Sequence, residues 1–412
     1  MKPESLLILL VIMQVACNRV ETFQTISYTK VKEASCPGDT LNAYHFIQPE
    51  HQVEKIPLLL VLDSGGDGLL AVEKMQPAVS HFACVVMGSD RVRNNFPGYD
   101  RAIGALIHEA IQRFPVTKDN IFIAGFSGGA RMAFEYARKH PVSGVLMCGA
   151  GPGKNPFPDL PCPVYMIAGT KDFNFSEMYY NPLRQTGRQE FMSDYFRGGH
   201  EWPPAGKLKD ALLLLMTNVL PGRETLFRRE SASLSEKADS MVDSKELLFA
   251  VKAVEKALRF NPHNRQAREQ MKEIKNSPEF TRYFNRIESD LSVEGRIGQA
   301  YIQASMEKDS IWWAKEIRQL TLEIAGSYGD KRDHFDRIKG FIGILFYSQL
   351  NNLLHAQPGN PQVPHLLNAY ELAEPENPDV YYFHAVYDWK QGKQQLGKKE
   401  LSWAKAMGFS DL

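Results

Sequence analysis

Between about residues 22 and 219 the chain alternates short, unbroken apolar runs with longer stretches of helical period. The runs are Leu58-Leu59-Leu60-Val61-Leu62, then 83–87, 121–124, 145–147 and 164–167, with a further β-rich stretch at 191–196. A strand wetted on one face alternates apolar with polar residues; one buried on both faces is apolar throughout, as in a parallel sheet covered by helices. Helical patterns at 69–79, 99–113 and 130–139 separate the runs. Strand and helix in alternation predict an α/β sandwich with a mostly parallel sheet. From about 224 to 412 the strand signal all but vanishes and helical period takes over. The change falls at Pro221-Gly222, a natural turn. The expected organisation is a leader over 1–16, an α/β unit over 17–220 and an all-α unit over 221–412.

The chemistry gathers at predicted strand ends. Ile121-Phe122-Ile123-Ala124 runs into Gly125-Phe126-Ser127-Gly128-Gly129, and Ala130-Arg131-Met132-Ala133 opens a helix. This is G-x-S-x-G between a strand and a helix. A turn that sharp tolerates almost no side chains at its flanks. It lifts the serine oxygen above the sheet and leaves the Gly128 N–H free to donate to an oxyanion. The bland alternative is a glycine-rich turn with a solvated serine, and the partners farther along weigh against it. A serine nucleophile needs a base, and the base an orienting acid. Asp172 follows the run 164–168 directly, and His200, in Gly198-Gly199-His200-Glu201-Trp202, is the sole histidine between Asp172 and His263. Asp194, Glu190 and Glu201 are rival orienters; Asp172 is preferred because it leaves a buried strand where such sheets place their sites. After the run 58–62, Asp63-Ser64-Gly65-Gly66-Asp67-Gly68 supplies a second oxyanion donor, either Gly65 or Gly66. A phosphate cradle is the rival for that loop, but the spacing is not G-x-G-x-x-G. Gly149-Ala150-Gly151-Pro152-Gly153-Lys154 fails as a P-loop, with one residue too few between the glycines and Asn155 where Ser or Thr is needed.

On these motifs, residues 40–218 resemble an α/β-hydrolase of the compact esterase or dienelactone-hydrolase type. The chain order Ser127, Asp172, His200 is the order of that fold. The resemblance implies an acyl-enzyme on Ser127, proton transfer by His200, orientation by Asp172, and no metal or organic cofactor. It implies an ester substrate, small or polymeric, and leaves the acyl and alcohol groups open. The link over 150–162 is short and Pro-rich, too short for a large cap, so an open site is expected. Phe173, Phe175, Met178, Tyr179 and Tyr180 form either a substrate wall or ordinary core.

The N-terminus reads as an address. Lys2 precedes an apolar run from Leu6 to Met13, too short to span a bilayer and suited to a signal peptide. The run closes on Val15-Ala16-Cys17, which resembles the lipobox of bacterial lipoproteins, with Gln14 where that pattern usually has Leu. The resemblance implies lipidation of Cys17, tethering to a membrane, and export to the cell envelope. Four further cysteines, Cys36, Cys84, Cys148 and Cys162, are too few for a disulfide scaffold; a Cys148–Cys162 bridge is left open by spacing alone. Of 412 residues, 43% are hydrophobic and 23% charged, with 48 Lys+Arg against 48 Asp+Glu. That is globular composition, and it offers no global basic field for nucleic acid.

In the helical half, Ala238, Ala250, Ala257 and Pro262 are spaced twelve, seven and five residues apart. Ala385, Gly397 and Ala404 repeat the first two intervals, and Ala373 with Pro378 the last. The pattern resembles the tetratricopeptide repeat, in which small residues let antiparallel helices approach. It fades between 275 and 355. The resemblance implies a groove for a protein partner, with Trp312-Trp313 and Tyr381-Tyr382-Phe383 as candidate lining; the alternative is an appendage that packs on the hydrolase or shields its site. Against the esterase reading stand a serine peptidase on the same fold and a scaffold lipoprotein that binds partners without catalysis.

Overall fold

A computed structural model describes residues 25–51, 53–94, 96–153, 160–184, 191–220 and 222–409; the leader, Cys17 and Glu190 lie outside the described residues. One eight-stranded sheet organises the first half, in the order β1-β2-β4-β3-β5-β6-β7-β8. Strands β1 (Lys32–Cys36) and β2 (Asp39–Ile47) form an antiparallel hairpin, and β2 runs antiparallel to β4 (Val85–Ser89). From β4 onward, β3 (Ile56–Leu62), β5 (Val116–Phe126), β6 (Gly144–Cys148), β7 (Val164–Gly169) and β8 (Phe191–Phe196) pair in parallel. Every residue of β3, β4, β6, β7 and β8 is buried.

The pleat splits each apolar run between two cores. Leu58, Leu60 and Leu62 face one side, with helices α2 (Tyr99–Arg113), α3 (Gly128–Ala137) and α4 (Phe175–Arg184). Leu59 and Val61 face the other, under α1 (Gly68–Val79) and α5 (Ala205–Leu215). The first half is therefore a three-layer sandwich of the α/β-hydrolase arrangement. The four described cysteines are buried and unbridged, so no Cys148–Cys162 disulfide forms. Burial pushes the Cys162 thiol up to about 11.

The second half is helical throughout its described residues. Helices α6 (Glu224–Asp243) and α7 (Leu247–Phe260) form a hairpin with Ala238, Ala250 and Ala257 fully buried. Ser231 Oγ donates to the Ala257 carbonyl at 2.7 Å. The hairpin extends the second core of the sheet, since Leu226, Leu234 and Val254 share a cluster with Tyr165 and Ile167. After α8 (Arg265–Asn276) come two long helices, α9 (Pro278–Glu307) and α11 (Gly329–Ala356), flanking α10 (Ser310–Ala325). These 30- and 28-residue helices occupy the stretch where the repeat pattern fades.

Helices α12 (Val363–Ala373), α13 (Pro378–Lys390) and α14 (Gln394–Ala406) finish the chain. A separate core there holds Trp313, Phe346, Tyr370 and Phe383, so two of the aromatics weighed as groove residues are interior. At Gly397 a Cβ would lie 2.4 Å from the Trp389 ring, which is why a glycine stands in the α13–α14 contact. Among the described residues no helix is long and apolar enough to cross a membrane.

Candidate active site

Ser127 sits between β5 and α3 with φ 53° and ψ −120°, a conformation rare for a residue with a side chain. Its N–H donates to the Cys148 carbonyl at the end of β6, at 2.8 Å. The glycines make the bend possible. A Cβ on Gly125 would stand 2.3 Å from the Gly129 carbonyl carbon, and one on Gly129 would stand 2.1 Å from the Leu62 carbonyl oxygen. Strand, bend and helix are thus pressed together backbone against backbone, and the serine oxygen is left on the C-terminal side of the sheet.

The same crowding shapes the loops that bring the other two side chains. A Cβ on Gly169, the last residue of β7, would lie 2.3 Å from both the Gly198 and Gly199 carbonyl oxygens. Lys171 N–H donates to Gly198 O at 2.9 Å, tying the loop after β7 to the loop after β8. The result is a continuous relay. His200 Nε2 lies 2.9 Å from Ser127 Oγ, and Nδ1 lies 3.0 Å from each oxygen of Asp172. Asp172 is fully buried; burial pushes its carboxyl above the ordinary value, and His200 and the Asn174 N–H, which donates to Oδ1 at 2.8 Å, oppose that rise. The imidazole is flanked by Phe126 and Phe173, at centroid distances of 4.9 and 4.4 Å, and those contacts restrict its rotation. Such an arrangement can take a proton from a serine hydroxyl and return it to a leaving group.

The two rival orienters among the described residues do not contact the His200 ring. Asp194 is buried beneath the sheet's second face, paired with Lys207 at 2.8 Å and Lys256 at 2.7 Å. Glu201 accepts from the Gly199 N–H at 3.2 Å, so it shapes the histidine loop instead of touching the ring.

The loop after β3 differs from expectation. Gly65 N–H donates to the Asp63 carboxylate at 2.7 Å and Gly66 N–H to the Asp63 carbonyl at 3.3 Å. Both N–H groups are thus paired within the loop, because Asp63 folds it back on itself. Gly128 is the first residue of α3, where an N–H has no intrahelical acceptor. The Asn94 side chain packs against it, and a Cβ on Gly128 would fall 1.3 Å from Asn94 Oδ1. Asn94 is a polar group of the site that the sequence did not reveal.

The site is a half-open cleft, walled on one side by the helical half. Ser127, Gly128 and Asn94 share a cleft of about 510 Å³ with residues of α9 and α11. The cover expected to be missing between β6 and β7 is supplied by the helical half. Helix α11 also grips the acid loop. Arg337 Nη1 donates to the Thr170 carbonyl at 2.5 Å while its Nε and Nη2 bind Glu294 of α9. Lys171 pairs with Asp336 at 3.3 Å. Of the candidate wall residues, Phe175, Met178 and Tyr179 are buried in the core and Phe173 lines the cleft. Nothing local marks Arg337 or Glu294, since both acquire their part through contacts with distant segments. Among the described residues no group of three or more His, Cys, Asp or Glu side chains converges as a metal site requires.

No protein-family model and no curated protein matches this chain. Solved structures similar to it include an α/β serine hydrolase without lid from Xanthomonas campestris, at 17% identity over 47% of this chain and 97% of that one, with a TM-score of 0.36. A hyperthermophilic esterase from Pyrobaculum calidifontis is 14% identical over 47% and 88%, with a TM-score of 0.38. A thermostable esterase from Pseudomonas putida is 13% identical over 53% and 90%, with a TM-score of 0.37. These likenesses extend over about half of this chain.

Proposed function

We propose that this protein is a serine hydrolase that cleaves carboxylic esters through an acyl-enzyme. Ser127 Oγ attacks the carbonyl carbon, His200 Nε2 takes the hydroxyl proton and delivers it to the departing alkoxide, and the Asp172 carboxylate holds Nδ1–H. The acyl group then leaves Ser127 by attack of a water that His200 deprotonates. Gly128 N–H donates to the oxyanion. The observation that carries this reading is the relay of 2.9 and 3.0 Å ending on a serine held at φ 53°. A fluorophosphonate probe should label the protein, and Ser127→Ala should abolish both labelling and hydrolysis of aryl esters, with a rate loss of the order of 10⁶. Retention of ester hydrolysis by Ser127→Ala would sink the assignment; cleavage of aminoacyl amides in preference to esters would move it to peptidases.

Two further parts of the reading rest on sequence. Export and lipidation of Cys17 are inferred from the leader; metabolic labelling with palmitate should be lost in Cys17→Ser. The small residues Ala238, Ala250, Ala257, Ala385, Gly397 and Ala404 support a tetratricopeptide-like reading of the α6–α7 and α13–α14 hairpins, with a partner-binding role.

A further inference from the structure

We propose that the cleft over Ser127 selects neutral esters carrying an apolar hydrocarbon or aryl group, and that the selecting wall belongs to the helical half. This rests on the serine-hydrolase reading and deepens it. Three observations converge.

First, the side of the cleft built by α9 and α11 presents Ile297, Ile302, Ile338, Phe341 and Ile344. A volume of about 510 Å³ suits one small-molecule group and falls within the range of ligand pockets.

Second, the charges around the cleft are already spent on each other. Arg131 binds Glu177 through two bonds of 2.9 Å and also donates to the Gly151 carbonyl. Arg337 binds Glu294 through Nε at 3.0 Å and Nη2 at 2.6 Å, and its remaining Nη1 goes to Thr170. Among the described residues that line the cleft every charge is paired, so a charged substrate would find no free counter-ion among them.

Third, α9 carries two glycines in its interior, Gly295 and Gly298, on the face that lines the cleft. Glycine within a helix is disfavoured against alanine. A Cβ on Gly295 would meet nothing within 4 Å, and one on Gly298 would meet the Phe341 ring at 3.4 Å. The helix thereby keeps open a space that larger side chains would fill.

The test uses the full chain with Ser127→Ala, so that binding is read without turnover. Calorimetry would compare 4-nitrophenyl esters lengthened from acetate to octanoate, a matched series of acetate esters lengthened on the alcohol side, and a carboxylate-terminated ester of equal length. Affinity should rise about four-fold per added methylene in one of the two series until the cleft is full. The charged ester should bind at least ten-fold more weakly than its neutral match. Adding Gly295→Leu, a change that favours the helix, should remove the gain for long chains while changing acetate binding less than three-fold. Flat affinity in both series, preferential binding of the charged ester, or an unchanged profile in Gly295→Leu would each overturn the proposal. Failure of the catalytic reading shows separately: wild-type protein would then bind these esters with the same profile, hydrolyse none, and leave Ser127 unlabelled.

Discussion

The join between sheet and helices can be tested through one lysine. Asp194, on β8, is fully buried, and Lys256, on α7, reaches it at 2.7 Å and Asp210 on α5 at 2.9 Å. Burial alone would push the Asp194 carboxyl up; the Lys256 and Lys207 ammonium groups outweigh it and hold the pKa at about 2. Against the ordinary 3.8, that depression corresponds to about 2.5 kcal/mol of folding stability. Because the folded pKa is the lower one, this contribution is complete above pH 3.8 and is lost as the pH falls toward 2.

Lys256→Met removes one of two cations and leaves a buried carboxylate with Lys207 alone. Breaking a buried pair from one side costs about 3–5 kcal/mol. Lys207, still 2.8 Å from Asp194, keeps the expected loss near the bottom of that range, about 3 kcal/mol at pH 7. Urea unfolding should show this, and the penalty should shrink between pH 5 and pH 3 as Asp194 takes up a proton. Asp194→Asn combined with Lys256→Met should be more stable than Lys256→Met alone. A loss under about 1 kcal/mol in Lys256→Met, or a double variant carrying the summed cost of both singles, would refute the claim that this pair holds α7 to the sheet.

Three more outcomes follow from the site. Arg337→Met should lower kcat about ten- to a hundred-fold with little change in KM, because the acid loop loses its anchor at Thr170, and Arg337→Lys should recover part of the loss; equal losses of kcat in both variants, or a change confined to KM, would argue against positioning. Asp172→Asn should fold normally yet lose about four orders of magnitude in kcat, measured on an aryl ester with the melting curve as control. Gly129→Ala should be destabilised by about 3 kcal/mol or more, read by circular dichroism, because its methyl would stand 2.1 Å from the Leu62 carbonyl oxygen.

What could be read from the sequence was whatever local chemistry dictates. Short unbroken apolar runs separated by helical patterns suit strands covered on both faces, so β3 to β7 were legible to within about five residues. The elbow was legible because a Cβ on Gly125 would stand 2.3 Å from the Gly129 carbonyl carbon, which leaves no choice of residue. The β1–β2 hairpin was missed: its burial is irregular, with the edge strand largely exposed, and the alternation of Leu41-Asn42-Ala43-Tyr44-His45-Phe46 is easily lost beside the stronger runs. At Gly65 and Gly66 the glycines signal a tight loop but not which acceptor claims their N–H groups; in the structure the Asp63 carboxylate takes the one and the Asp63 carbonyl the other.

The cover over the site was illegible for a different reason. A cleft shared by Ser127 and Phe341 joins residues more than two hundred positions apart, and α9 and α11 reach it by tertiary packing that no local pattern encodes. Its cost is visible once the packing is known. Arg337 is buried and Glu294 largely so, and Gly295 and Gly298 weaken the interior of their helix. Charges drawn largely out of water and glycines placed where alanine would serve the helix better are costs the helical half bears without stabilising itself. Both fall on the face turned toward Ser127, which is where such costs would be offset by fitting a substrate.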